Sequence, residues 1–281
     1  MEEATQFTCN GDTLVGILAL PAEAARTGVV IIVGGPQYRA GSHRQFVLLA
    51  RALAAAGCAV LRFDARGMGD SSGTQRNFET ISDDIAAAIS HLQQRVPTVQ
   101  SVVLWGLCDA AAAALLYCHD TADARVGGLC LLNPWVRSEA SLAKTQVKHY
   151  YPDRLRQKDF WLKLLNGKVA LVALSGFMQK LQLARGDAAA AAAANQPFQH
   201  RMAAAWHGFK GYILLILSGD DYTAKEFLEY TQTDPAWQGY LAHPGLTRQD
   251  VPDVDHTFSG AAARKQVEDI TTSWIAHTQS V

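Results

Sequence analysis

The stretch Val102-Val103-Leu104-Trp105-Gly106-Leu107-Cys108-Asp109-Ala110 restricts what this chain can fold into more than any other. Its first part, β-branched and apolar, reads as a buried strand, and Ala110 to Leu116 reads as a helix with almost no side-chain bulk. Between them Gly106-x-Cys108-x-Ala110 matches the nucleophile elbow G-x-S-x-G, with Cys for Ser and Ala for the last Gly. Small residues belong there because the nucleophile sits on a strained strand-to-helix turn, where larger neighbours collide with helix or strand. A cysteine on that turn presents its sulfur at a helix N-terminus, whose partial positive charge favours thiolate. Taken alone, Cys108 equally fits a buried small hydrophobe, as most free cysteines are.

Apolar runs elsewhere extend the strand pattern. Thr5 to Leu20 predicts a hairpin turning at Asn10-Gly11, and Val29–Val33, Ala59–Phe63, Val126–Leu132 and Tyr212–Leu217 predict further strands. A last short strand and loop is expected over Gln249 to Phe258. Helices are expected from a Ser42 cap through Ala56, over Glu79 to Arg95, from Thr223, and over Gly260 to His277. Strands alternating with helices at this spacing give βαβ units, so the fold class is α/β with a mostly parallel central sheet flanked by helices. From Trp135 to Lys210 that rhythm breaks, apart from the ambiguous Val169 to Leu174. The expected organisation is a core of residues 1–134 and 211–281 with a helical cap inserted at 135–210. Within the cap, the Ala-rich segment 185–195 reads as a mobile, low-complexity linker or frayed helix.

Composition removes several function classes. A net charge of −1 over 281 residues leaves no electrostatic footprint for nucleic acid or an anionic membrane. Met1-Glu2-Glu3 opens with acid and no apolar h-region follows, while the most apolar window carries Asp109, so neither a secretory signal nor a membrane span is expected. Five cysteines without paired or metal-type spacing indicate a reducing compartment. The reading is a cytoplasmic protein that needs no metal and no organic cofactor.

A thiol nucleophile needs a base to keep it ionised and a third group to orient that base. The chain supplies Cys108, then Asp221 after a late strand, then His256 in the last loop. All three fall at the carboxyl ends of predicted strands, where open α/β sheets place their sites. Asp220 competes with Asp221 for the acid, and Asp253 or Asp255 lies within local reach of His256. For the oxyanion, one donor is expected from the N–H of Asp109 and the second from the loop after Val33; Pro36 has no N–H, which leaves Gly35 or Gln37. A decoy is also present: Gly69-Asp70-Ser71-Ser72-Gly73 spells G-x-S-x-G, but no apolar strand directly precedes it and no apolar helix follows. It reads as a turn with helix-capping serines.

Asp64-x-Arg66-Gly67-x-Gly69-x-Ser71 and Asp255-His256-Thr257-Phe258 resemble the aspartate–glycine loop and the histidine loop of α/β-hydrolases. A closer resemblance, to the family called exosortase A system-associated hydrolase 1, is carried by three strings. These are Gly34-Gly35-Pro36-Gln37-Tyr38-Arg39-x-Gly41-Ser42-His43-Arg44-Gln45-Phe46, Gly106-Leu107-Cys108-Asp109-Ala110, and Ser218-Gly219-x-Asp221-x-Thr223-Ala224-x-Glu226-Phe227. The resemblance implies an α/β-hydrolase fold and a role near a bacterial exopolysaccharide or protein-sorting pathway, without supplying a reaction.

Cysteine at the elbow gives an acyl-thioester, energetic enough to pass its acyl group to an alcohol or amine as well as to water. Acyl hydrolysis and acyl transfer on a small-molecule ester or thioester, free or carrier-bound, are therefore both expected. A silent pseudo-hydrolase serving as scaffold is the reading from another class. Tyr38, Arg39 and His43, with Arg44, follow the oxyanion loop and fit either an anionic substrate or a solvated helix start with structural ion pairs.

Overall fold

The computed structural model of the chain describes residues 1–35, 37–137 and 196–278. The chain divides into two compact units, Met1–Val136 with Phe198–Val281, and Arg137–Pro197. The second unit lies almost wholly outside the described residues, as do the expected cap helices, the 169–174 run and the Ala-rich 185–195 segment.

The first unit is built on eight strands: β1 (Glu2–Cys9), β2 (Asp12–Ala19), β3 (Thr27–Ile32), β4 (Ala59–Phe63), β5 (Ser101–Leu107), β6 (Val126–Leu132), β7 (Tyr212–Ser218) and β8 (Leu246–Val251). Their spatial order is β1-β2-β4-β3-β5-β6-β7-β8. Strands β3 to β8 pair in parallel, and the β1–β2 hairpin joins antiparallel through β2 and β4. The hairpin turns at Asn10 (φ 49°) and Gly11 (φ 87°), the left-handed pair that a two-residue turn needs to match strand twist.

The described helices are α1 (Gln45–Ala55), α2 (Ser82–Arg95), α3 (Asp109–Thr121), α4 (Phe198–Gly208), α5 (Tyr222–Thr233) and α6 (Ala261–Thr278). Alternate strand residues feed two cores. Val30, Ile32, Leu104, Leu129 and Leu215 face α2, α3 and α4, whereas Val29, Ile31, Val103, Cys130 and Leu214 face α1 and α6. The expected α/β sheet with helices on both faces is the observed one.

Three local readings change. Ser42 makes no cap bond; the chain enters α1 through a short 3₁₀ turn, Ser42–Arg44, with His43 (φ 51°) and Arg44 (φ 60°) in left-handed conformations. Helix α2 begins at Ser82 rather than Glu79. The core resumes at Phe198 rather than at residue 211. Helix α4 packs on α3, and its Trp206 stacks edge-on with Trp237 and Tyr240 in a fully buried aromatic cluster, with the indole N–H donating to the Tyr240 carbonyl at 2.9 Å. Phe198 to Gly208 thus belongs to the sheet's helical layer, which shortens the expected insertion at its C-terminal end.

Candidate active site

Cys108 stands between β5 and α3 with φ 63° and ψ −121°, a left-handed backbone at a non-glycine residue. Surrounding bonds impose it: the Cys108 N–H donates to Leu132 at 2.8 Å, and its carbonyl accepts from Ala111 at 3.1 Å and Trp135 at 3.1 Å. The elbow's small residues are explained by contact. A Cβ on Gly106 would lie 2.5 Å from the Ala110 carbonyl, and Ala110 itself is buried without clash. Cys108 is half-buried. Elsewhere, burial, aided by Asp84, pushes Cys9 up to about 11, and burial pushes Cys118 up to about 12.

Asp221 caps α5, accepting the N–H groups of Thr223 at 3.0 Å and Ala224 at 3.2 Å. Its second oxygen takes Nδ1–H of His256 at 2.7 Å. Burial works against ionisation of this carboxyl most strongly, but the His256 bond and the two backbone donors outweigh it and hold the group below its ordinary value. On the other side of the pair, the Asp221 bond first and the Cys108 side chain second push His256 up to about 10. Cys108, His256 and Asp221 are therefore brought together at the carboxyl ends of β5, β7 and β8. Asp220 is exposed, and Asp255 turns its carboxylate onto Thr257 and Ser259 of its own loop.

A residue directly after β6, which the sequence reading did not single out, supports this arrangement. Asn133, fully buried at φ 44°, accepts the Ser218 N–H at 2.9 Å and donates to the Ser218 hydroxyl at 2.8 Å and the His256 carbonyl at 3.3 Å. It ties the ends of β6 and β7 to the histidine loop. The available signal was an Asn able to adopt positive φ directly after a buried strand.

The oxyanion loop departs from expectation at Gly35. Its N–H donates to Asp109 Oδ2 at 2.8 Å, so it is engaged by a side chain rather than open to a substrate oxygen. The Gln37 N–H donates to no acceptor among the described residues. Of the two readings of Arg39, the structural ion pair is the one observed: its guanidinium is buried against Asp64 and reaches Asp70 at 2.8 Å, and its N–H donates to Asp64 at 2.8 Å. A cation spent on two carboxylates does not recruit an anionic substrate. Tyr38 is exposed and donates its hydroxyl to Asp70 at 2.7 Å, and His43 lies in the 3₁₀ turn.

Beside the elbow lies a pocket of about 160 Å³. Val33, Ala65, Met68, Phe78 and Ile81 give it an apolar lining; Gln75, Arg76, Asn77 and Asp109 are its polar residues. Among the described residues there is no His/Cys/Asp/Glu group able to hold a metal, and no helix is long and apolar enough to cross a membrane.

The family model described as serine aminopeptidase, S33, matches residues 24–205, and the chain belongs to that hydrolase family. The match covers the elbow, where this chain has cysteine, and ends before Asp221 and His256. No curated protein sequence matches the chain. Among solved structures it is similar to the Pyrococcus furiosus esterase Pf2001 (13% identity, 99% of this chain and 93% of the other, TM-score 0.64). It is likewise similar to Est1E from Butyrivibrio proteoclasticus, solved with ferulic acid (13%, 97% and 100%, 0.63), and to dienelactone hydrolase from Anabaena variabilis (15%, 99% and 98%, 0.61). At these identities the likeness is one of fold, and the fold is that of α/β-hydrolases.

Proposed function

We propose that this α/β-hydrolase cleaves an ester or thioester through an acyl-cysteine intermediate, passing the acyl group to water or to an alcohol or amine acceptor. The observation that carries the proposal is the 2.7 Å Asp221–His256 bond beside a cysteine held at φ 63° on the elbow. In this reading Cys108 sulfur attacks the carbonyl carbon, and the carbonyl oxygen becomes an oxyanion near the N–H groups of Asp109 and Gln37. The imidazolium of His256 then gives its proton to the leaving oxygen or sulfur as the tetrahedral intermediate collapses to the thioester. Neutral His256 next takes a proton from water or from the acceptor, which attacks the thioester and releases Cys108. Asp221 keeps the imidazole in one tautomer and orientation throughout.

An ester-type substrate is supported by the esterase and dienelactone hydrolase names among the structural neighbours. The acyl donor is a small molecule, free or on a carrier. A cytoplasmic setting is supported by five free cysteines. A place beside an exopolysaccharide or exosortase pathway rests on the three strings shared with the exosortase-associated family.

Intact mass after incubation with a panel of activated acyl thioesters and esters tests the proposal. A transient acyl adduct on the native protein that is absent from Cys108→Ala is expected. No adduct with any donor, together with an ordinary alkylation profile at Cys108, would replace this reading with the silent scaffold.

A further inference from the structure

The group that engages Gly35 is the side chain of the residue following the nucleophile, and its position is unusual for a site that must hold an oxyanion. Asp109 Oδ2 takes the Gly35 N–H at 2.8 Å. The loop after β3 is moulded around it: a Cβ on Gly34 would lie 2.0 Å from Asp109 Oδ1. The Gly35 N–H, one of the donors that the loop after β3 offered for an oxyanion hole, is thus directed at a resident carboxylate. A fixed negative charge here opposes the charge that develops on the substrate oxygen during attack.

We propose that the Asp109 side chain is a gate on the oxyanion hole, shut while it is a carboxylate and open when a proton from solvent makes it neutral. This rests on the acyl-cysteine reading above. In the neutral form the same group offers an O–H donor toward the oxyanion and no longer repels it, while its other oxygen can still hold Gly35. Burial favours this form, lifting the Asp109 carboxyl above its ordinary value against the pull of the Gly35 and Ala110 N–H groups. The charged and titratable groups facing it are few. The charge of His256, on the loop after β8, acts on it through space, Arg76 lines the same pocket from the loop before α2, Cys108 precedes it, and Gly34 and Gly35 bring no charge.

The test is the rate of acyl-adduct formation, followed by intact mass, for the native protein, Asp109→Asn, Asp109→Ala and Cys108→Ala across pH 5 to 9. The amide mimics the neutral acid: it keeps an acceptor for Gly35 and presents an N–H donor. Asp109→Asn is therefore expected to acylate at least about ten-fold faster than native protein at the alkaline end, with the ratio falling toward one as pH drops. Because the Asp109 charge also acts on His256, the His256 titration is measured in each protein and the ratio is compared at matched imidazole protonation. Asp109→Ala, which lacks both the charge and the donor, is expected to be slower than Asp109→Asn. A purely structural Asp109 would give a ratio that does not vary with pH.

If Asp109→Asn does not fold, Asp109→Ser, a neutral hydroxyl, takes its place. Native protein that acylates at Cys108 while Asp109→Asn is no faster at any pH would overturn the gate and leave the acyl-cysteine reading standing. No adduct on any variant would overturn both.

Discussion

Two loops of this chain carry nearly the same string, and only one holds its central residue at the start of a helix behind a buried strand. At Gly106-x-Cys108-x-Ala110 a buried strand runs straight into a helix, and the central residue is forced to φ 63° with its side chain half-buried beside His256. At Gly69-Asp70-Ser71-Ser72-Gly73, the closer match to the serine pattern, both hydroxyls are engaged in holding the fold together. Ser71 donates to the Asp64 carbonyl at 2.7 Å and accepts the Val15 N–H at 2.9 Å, and Ser72 accepts the Thr13 N–H at 2.8 Å. These serines fasten the loop to β2 and cap no helix, contrary to the sequence reading. The glycines differ in purpose too: a Cβ at Gly106 would strike the helix that follows, and one at Gly69 would strike the Asp64 carboxylate at 2.2 Å. Where the flanking hydrogen bonds go, more than the string itself, separates the proposed nucleophile from a structural turn.

The contrast can be broken most severely at the elbow's partners. Asp221→Asn should lower acyl turnover by about 10³- to 10⁴-fold, because the amide no longer fixes the imidazole tautomer. Asp220→Asn, on the exposed neighbour, should leave turnover within about two-fold; steady-state kinetics on any donor that acylates the native protein checks both.

A smaller effect separates the two loops by pH. The folded value of His256, about 10, lies above its ordinary 6.5, so the stability it contributes is complete below pH 6.5 and is lost as pH rises through 10. Asp221, held below its ordinary value, contributes above the unfolded carboxylate range and loses that contribution only in acid. Denaturant titrations should therefore show native protein losing its advantage over His256→Gln between about pH 6.5 and 10. An advantage that stays constant across that range would mean that the pair does not hold a proton.

The smallest effect belongs to the decoy. Ser71→Ala removes the acceptor for the Val15 N–H and should cost about 1 kcal/mol of stability in a urea melt, with no change in acylation. A loss of acylation instead would reverse the comparison.

Much of this was legible in the sequence because the signals were local. Asn10-Gly11, the continuous apolar strands and the strand-turn-helix around Cys108 each encode their conformation within a few residues. The order of Cys108, Asp221 and His256 carried the outline of the site, since a parallel sheet collects successive strand ends at one edge. What escaped depends on distant partners. Arg39 could be given no partner until the fold brought Asp64 and Asp70 against it, and Ser71 looked like a helix cap until β2 lay alongside. Helix α4 gave little away, because Trp206 becomes core only when Trp237 and Tyr240 close over it. The Asp109 carboxylate likewise acquires meaning only from Gly34 and Gly35, which arrive from another strand.

The most direct measurement is to locate the adduct. Native protein exposed briefly to a reactive acyl thioester, quenched in acid, digested and mapped by tandem mass spectrometry should carry the acyl group on the peptide containing Cys108. The peptides holding Ser71 and Ser72 and those holding the other four cysteines should be unmodified. Acylation of Ser71, or labelling spread among the cysteines without preference for Cys108, would contradict the assignment of the nucleophile and with it the proposed chemistry.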